Sequence, residues 1–327
     1  MSKQRRAFRR DAGLKSSAAT AFFLAVMLAF AAGVAAQQRG AANSSPMSAV
    51  AFTPAPPLPA QAAGEGKTVT VFGQKINYVE SGSGPTVVLL HGMGGNMTNW
   101  AFNAAALAEK FHVVALDQIG YGRSDKPLIN YHVATYVDFL DKFLDELKIE
   151  RASLVGNSLG GWIAAAYTLK HPNRVERLVL VDAAGFAPPK EFDMGVLVGL
   201  NPSTRDGMRQ LMQTVVSNKA LLANDAVIDA ALTQRLTAGD GYTIQSILES
   251  VNRREDVLDG KLSAVKQPVL LVWGRDDGLT PLAREGQKFK QEIPQAQLVV
   301  FDNCGHVPMI EKPAEFNAAV LKFLTAQ

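Results

Sequence analysis

The stretch from Ala152 to Lys170 limits what this chain can fold into more than any other. It begins with a mostly apolar run, Ala152 to Val155, of the length of a short buried strand. Gly156-Asn157-Ser158-Leu159-Gly160 follows, and a run of helical character continues from Trp162 to Lys170. A strand that turns straight into a helix brings the two backbones close together, and glycine at 156 and 160 suits that approach. A serine at the tip of such a turn sits on strained backbone with its hydroxyl exposed. The N–H of Leu159 then opens a helix, where negative charge is favoured. The stretch predicts a nucleophilic Ser158. The plainer alternative is a glycine-rich turn with a capping serine, and the rest of the chain has to choose between them.

The remainder of the body repeats the same rhythm. Thr68–Phe72 and Lys75–Glu80 read as a hairpin turning at Gly73. Val87–Leu90, His112–Leu116, Leu178–Val181, Val269–Trp273 and Gln297–Phe301 are short apolar runs, as expected of strands covered on both faces. Helical patterns fall between them at Ala104–Lys110, Val133–Leu147, Leu282–Gln291 and Ala314–Leu324. This predicts an α/β fold with a mostly parallel central sheet and helices on both faces. From residue 183 to 266 the alternation stops and helical patterns dominate, which predicts a helical cap inserted into a core made of residues 67–182 and 267–327. In such sheets ligands bind beyond the C-terminal strand ends. Four unusual loops fall at those ends: His91-Gly92-Met93, Gly156 to Gly160, Gly274 to Gly278, and Cys304-Gly305-His306.

Composition narrows the function classes. The formal net charge is +3, but the first 36 residues hold six basic side chains and one acid, so the body is weakly acidic and gives no support for nucleic-acid binding. A single cysteine, Cys304, rules out an intramolecular disulfide, and no Cys-His spacing suggests a zinc site. Residues 1–36 read as an export signal: a basic start, an uncharged run from Ser16 to Ala36, and small residues Val34-Ala35-Ala36 at its end. The run is also about the ~20 residues that span a bilayer, so an uncleaved membrane anchor is the alternative. Membrane contact is expected only through residues 16–36, and the location is exported, periplasmic or secreted. Residues 37–66, rich in Ala, Pro, Ser and Gln, read as a flexible tether.

With these loops in place, the chain resembles the α/β-hydrolase fold family from about Thr68 to Ala326. The resemblance rests on His91-Gly92, Gly156-Asn157-Ser158-Leu159-Gly160, Gly274-Arg275-Asp276-Asp277 and Gly305-His306. It implies a Ser158, Asp277, His306 triad in that chain order. His306 would serve as base and Asp277 would orient it, with Asp276 its neighbour and Asp182 a substitute acid position. The backbone N–H groups of Met93 and Leu159 would form the oxyanion hole. His91 would support its own loop. His112, His132 and His171 read as surface or cap residues, and Cys304 as a small residue near the His loop. Arg123 and Asp125 read as a structural pair or turn. No metal or organic cofactor is required.

The implied activity is hydrolysis of a small-molecule carboxylic ester, as in a carboxylesterase or lipase. Met194, Val196, Leu197, Leu200, Met208, Leu211 and Met212 are candidates for an acyl pocket in the cap. A second reading is a carbon–carbon hydrolase of ring-fission products. Arg235 sits where those enzymes keep an arginine for a substrate carboxylate. Against it, Val307 stands where they carry a Trp, and Met93-Gly94-Gly95-Asn96 replaces a richer first loop. A cofactor-free haloperoxidase-like hydrolase and a non-catalytic binding protein on the same fold complete the alternatives. An Asp-nucleophile chemistry is disfavoured by Ser158.

Overall fold

The computed structural model describes residues 66–188 and 199–326. Residues 1–65, which hold the stretch read as an export signal and nearly all of the stretch read as a tether, lie outside the described residues, as do Met194, Val196 and Leu197. Among the described residues no helix is long and apolar enough to cross a membrane.

Eight strands form one sheet: β1 Lys67–Val71, β2 Gln74–Ser81, β3 Thr86–Leu90, β4 His112–Leu116, β5 Ala152–Asn157, β6 Val175–Val181, β7 Val269–Gly274 and β8 Gln297–Phe301. Their spatial order is β1-β2-β4-β3-β5-β6-β7-β8. β1 and β2 pair antiparallel through a turn at Phe72 and Gly73, both with positive φ. β2 also meets β4 antiparallel, and every later pairing is parallel. The apolar runs are explained by burial on both faces. On β3, Val88 and Leu90 join one hydrophobic cluster while Val87 and Leu89 join the other, and β4 divides Val114 and Leu116 from Val113 and Ala115 in the same way.

The helices between strands are α1 Ala104–Ala108, α2 Val133–Glu146 and α3 Leu159–Lys170. Between β6 and β7 the alternation gives way to α4 Arg205–Val215, α5 Lys219–Leu222, α6 Asp225–Thr237 and α7 Gly241–Asn252. Asn and Thr side chains start the first three of these: Thr204, Asn218 and Asn224 each accept from a first-turn N–H. After β7 come α8 Gln287–Glu292, α9 Pro308–Glu311 and α10 Pro313–Thr325. The regular helix expected from Leu282 to Gln291 instead begins with a π-helical turn, Leu282–Gly286.

The inserted helices sit on the loops at the C-terminal strand ends. Gly278 N–H donates to Thr214 O at 3.0 Å and His306 N–H to Val215 O at 2.7 Å. On the other side, Tyr131 N–H donates to Ser246 Oγ at 2.8 Å.

Candidate active site

Ser158 sits between β5 and α3 with φ 55° and ψ −119°. This strained conformation needs a crowded crossing to hold it. A Cβ at Gly156 would fall 2.2 Å from Gly160 O, and one at Gly160 would fall 2.3 Å from Leu90 O. Any larger residue would push strand and helix apart. The Ser158 backbone is tied at both ends, its N–H donating to Val181 O at 2.9 Å and its carbonyl accepting from Trp162 N–H at 3.1 Å and Ala184 N–H at 3.2 Å.

Asp277 and His306 meet in the loops after β7 and β8. His306 Nδ1 lies 2.8 Å from Asp277 Oδ2, and both residues are buried. The other Asp277 oxygen accepts from Leu279 N–H at 2.8 Å and Thr280 N–H at 3.1 Å, while Thr280 Oγ1 lies 2.6 Å from Oδ2. Burial pushes the Asp277 carboxyl up. The charge of His306 and the hydrogen bonds from His306 and Thr280 outweigh it and hold the group at about 2. A carboxylate on Nδ1 fixes the imidazole tautomer and leaves Nε2 free to accept a proton.

Asn157 Nδ2 donates to both Val181 O and His306 O, each at 3.1 Å, and so joins the serine turn to the His loop. Glu311 does the same from α9, accepting from Gly305 N–H at 2.8 Å and from Ser217 N–H of the inserted helices at 2.9 Å. Neither role was visible in the sequence. Asn157 lay inside the motif without a stated task, and Glu311 carries no signal for its bond to Ser217, which lies 94 residues earlier in the chain.

Asp182 ends β6 beside Asp277. Its Oδ1 accepts from Gly274 N–H at 2.9 Å, and its Oδ2 has no hydrogen-bond partner. Burial, followed by the charge of Asp277, pushes its carboxyl well above the carboxylate range. His306 is therefore served by Asp277. Asp276 turns away and accepts from Ser217 Oγ at 2.7 Å. Ligand atoms of Asp182, Asp277 and His306 do come within 4.8 Å of one another. A metal ion fits them poorly, because both Asp277 oxygens are already taken and Asp182 favours its neutral form.

The first loop is held for a different purpose. His91 is fully buried; its Nδ1–H donates to Gly92 O at 2.8 Å and its Nε2 accepts from Gln118 N–H at 3.0 Å. Burial keeps its pKa below the usual value. A neutral ring so arranged anchors the Gly92 carbonyl. A Cβ at Gly92 would lie 3.1 Å from Ser158 Cβ, so Met93 follows directly beside the serine. Met93, Ser158 and Leu159 all border one chamber of about 490 Å³.

That chamber is mostly apolar, with Trp162, Phe186, Leu200, Leu211, Ile247 and Leu248 in its walls. Leu200 and Leu211 thus line it as expected. Met208 is buried elsewhere in the insertion, and Met212 packs against the second hydrophobic cluster. Arg235 departs from expectation. It is not among the residues around the chamber: its guanidinium pairs with Asp240, which is 1% exposed, and rests on Gly94 of the first loop. The side chain is paired with Asp240 instead.

The other histidines lie outside the site. His112 bonds Glu80, His132 bonds Asp256, and His171 stacks on Tyr167. Cys304 is buried, and burial pushes its thiol up, which makes it a poor nucleophile. Arg123 and Asp125 form a turn without pairing: Arg123 N–H donates to Asp117 Oδ2, and Asp125 Oδ2 accepts from Lys75 N–H.

A sequence model described as the alpha/beta hydrolase fold matches residues 85–313. The chain is 33% identical over 269 residues to the 2-hydroxymuconate semialdehyde hydrolase of Pseudomonas sp. strain CF600, covering 79% of this chain and 93% of that one. Its structure resembles a meta-cleavage product hydrolase from Pseudomonas fluorescens IP01, with 30% identity and TM-score 0.72, over 81% of this chain and 98% of that one. It also resembles a membrane phospholipase A described as a bacterial virulence factor, with 28% identity and TM-score 0.70, over 95% of each chain.

Proposed function

Given that the chain belongs to the α/β-hydrolase fold family, we propose that it is a serine hydrolase of carboxylic esters that works through an acyl-enzyme on Ser158. His306 Nε2 takes the Ser158 proton as Oγ attacks the acyl carbonyl. Asp277 holds the imidazolium that forms. The oxyanion accepts from the N–H groups of Met93 and Leu159, each worth roughly 10²–10³ in turnover. His306 then protonates the leaving alcohol, and in a second half-cycle activates water to release the acid.

The observation that carries the ester reading is the chamber beside Ser158, whose walls are mostly apolar. An acyl chain suits such a space, and the arginine that borders it, Arg284, is already paired with Glu285. The likeness to a membrane phospholipase over 95% of both chains supports the same class, since a phospholipase A acts on an acyl ester. The helices from 199 to 266 serve as a cap in this reading. The basic and then uncharged first 36 residues support export or membrane anchoring.

A second reading is favoured by the identity to the semialdehyde hydrolase: carbon–carbon cleavage of a ring-fission product by the same three side chains. Kinetics separate the two. A series of p-nitrophenyl esters of rising chain length is run beside a ring-fission product. Ester hydrolysis with kcat/KM well above that for the ring-fission product is expected. Turnover of the ring-fission product alone would overturn the ester reading.

A further inference from the structure

The carboxyl end of α4 reaches both loops that carry the acid and the base. A helix leaves its last four carbonyls without partners inside it. In α4 two of these, on consecutive residues, are taken by the catalytic loops. Thr214 O accepts from Gly278 N–H at 3.0 Å, and Val215 O accepts from His306 N–H at 2.7 Å. Gly278 directly follows Asp277. Consecutive Cα atoms stand about 3.8 Å apart, so the two carbonyls hold the acid loop and the base loop at a set spacing from each other. A helix that merely covered the sheet edge could leave these carbonyls to water. The His306 carbonyl is held by Asn157, so the His306 backbone is fixed on both sides.

Both loops make room for this contact. A Cβ at Gly305 would fall 2.3 Å from Val215 O, and one at Gly278 would fall 2.9 Å from Thr214 O. Neither glycine has a positive φ, so it is the approach of α4, and not backbone shape, that a side chain would disturb. Just past the helix, side chains close the same contact. The buried Glu311 carboxyl accepts from Gly305 N–H on one oxygen at 2.8 Å and from Ser217 N–H on the other at 2.9 Å. Ser217 Oγ donates to Asp276 Oδ2 at 2.7 Å. The acid loop is therefore held on either side of Asp277, at Asp276 and at Gly278.

We propose that the end of α4 is a positioning element for the acid and base, and that Glu311 is the positioning residue that holds it there. Neither touches substrate through this contact. Together they keep His306 Nδ1 at its 2.8 Å bond to Asp277. This rests on the serine-hydrolase reading above. A misplacement of about 1 Å can cost about 10²-fold in rate. Without Glu311 the N–H groups of Gly305 and Ser217 lose their shared acceptor, and His306 moves with its neighbour Gly305.

The test measures kcat and KM for p-nitrophenyl acetate with the full chain. The assay runs at about pH 8, above the point near 7 where Glu311 ionises. Glu311→Gln keeps one accepting oxygen and turns an N–H toward the other donor, so kcat should fall about tenfold. Glu311→Leu removes both acceptors and should cost about a hundredfold. Gly305→Ala, which drives a methyl against Val215 O, should lower kcat by about tenfold or more from the other side of the contact. KM should stay within about threefold, because His306 serves both half-cycles and slows them together. Urea midpoints establish that each variant is folded in the assay. A merely structural role would lower the midpoint and leave kcat unchanged. Folded Glu311→Gln and Gly305→Ala with kcat within about twofold of the unaltered protein would overturn the proposal. So would a loss carried by KM alone. Should Glu311→Leu fail to fold, the other two variants decide. Failure of the serine-hydrolase reading looks different: the unaltered protein hydrolyses no ester.

Discussion

The loops around His306 and the chamber wall around Glu285 treat buried carboxylates in opposite ways. Asp277 has both oxygens filled, by two backbone N–H groups on one and by His306 and Thr280 on the other, and its charge is held firmly. Glu285 has one oxygen filled and one empty. The first arrangement preorganises a charge that must not move during the reaction. The second leaves one buried oxygen without a hydrogen bond. The proposed chemistry therefore rests on the carboxylate whose hydrogen bonds are complete.

The sharpest break of this comparison comes from the serine and its acid. Ser158→Ala should lower ester turnover by about 10⁴-fold or more and abolish labelling by a fluorophosphonate. Asp277→Asn should cost about 10³–10⁴ in kcat, because the imidazole then loses its orienting charge. Asp182→Asn, beside it, should cost about tenfold or less, since Asp182 favours its neutral form and does not bond His306. Equal losses in the two Asp variants, read as kcat on one ester, would show that the carboxylates act as a pair.

Arg235→Met tests the brace on the first loop. It leaves Asp240 buried without its partner, so stability should fall by about 3–5 kcal/mol by urea unfolding, with much of it recovered in the double variant Arg235→Met/Asp240→Asn. A variant of normal stability that selectively loses affinity for carboxylate-bearing substrates would return Arg235 to the chamber.

The smallest expected effect concerns Glu311. Burial raises its carboxyl from 4.5 to about 7 against the pull of the Gly305 and Ser217 N–H groups. A carboxyl raised by folding stabilises the fold in its protonated form. Its contribution is full below about 4.5 and is lost as pH rises through about 7, a difference of about 3 kcal/mol. Glu311→Gln, which cannot ionise, should remove that slope from urea midpoints compared between about pH 5 and about pH 8. An unchanged slope would place the ionisation elsewhere.

Much of this was legible in the sequence, for a physical reason. Strands buried on both faces must be apolar throughout, so β3 and β4 announce themselves, and a strand–turn–helix crossing must be glycine on both sides of Ser158. The order and spacing of Asp277 and His306 follow from the loops that carry them. Long-range polar contacts leave no such trace. Nothing near Glu311 reveals that Ser217, 94 residues earlier, is its partner. The π turn at Leu282–Gly286 also escaped, because a sequence read for helical period does not register one extra residue per turn.

The central claim is that Ser158 carries the acyl group during turnover. Rapid acid quenching of the enzyme with a p-nitrophenyl ester, followed by peptide mass spectrometry, tests it directly. The expected result is one acyl group on the peptide holding Ser158, absent in Ser158→Ala. Steady ester turnover with that peptide unmodified, or with the acyl group on Cys304, would contradict it.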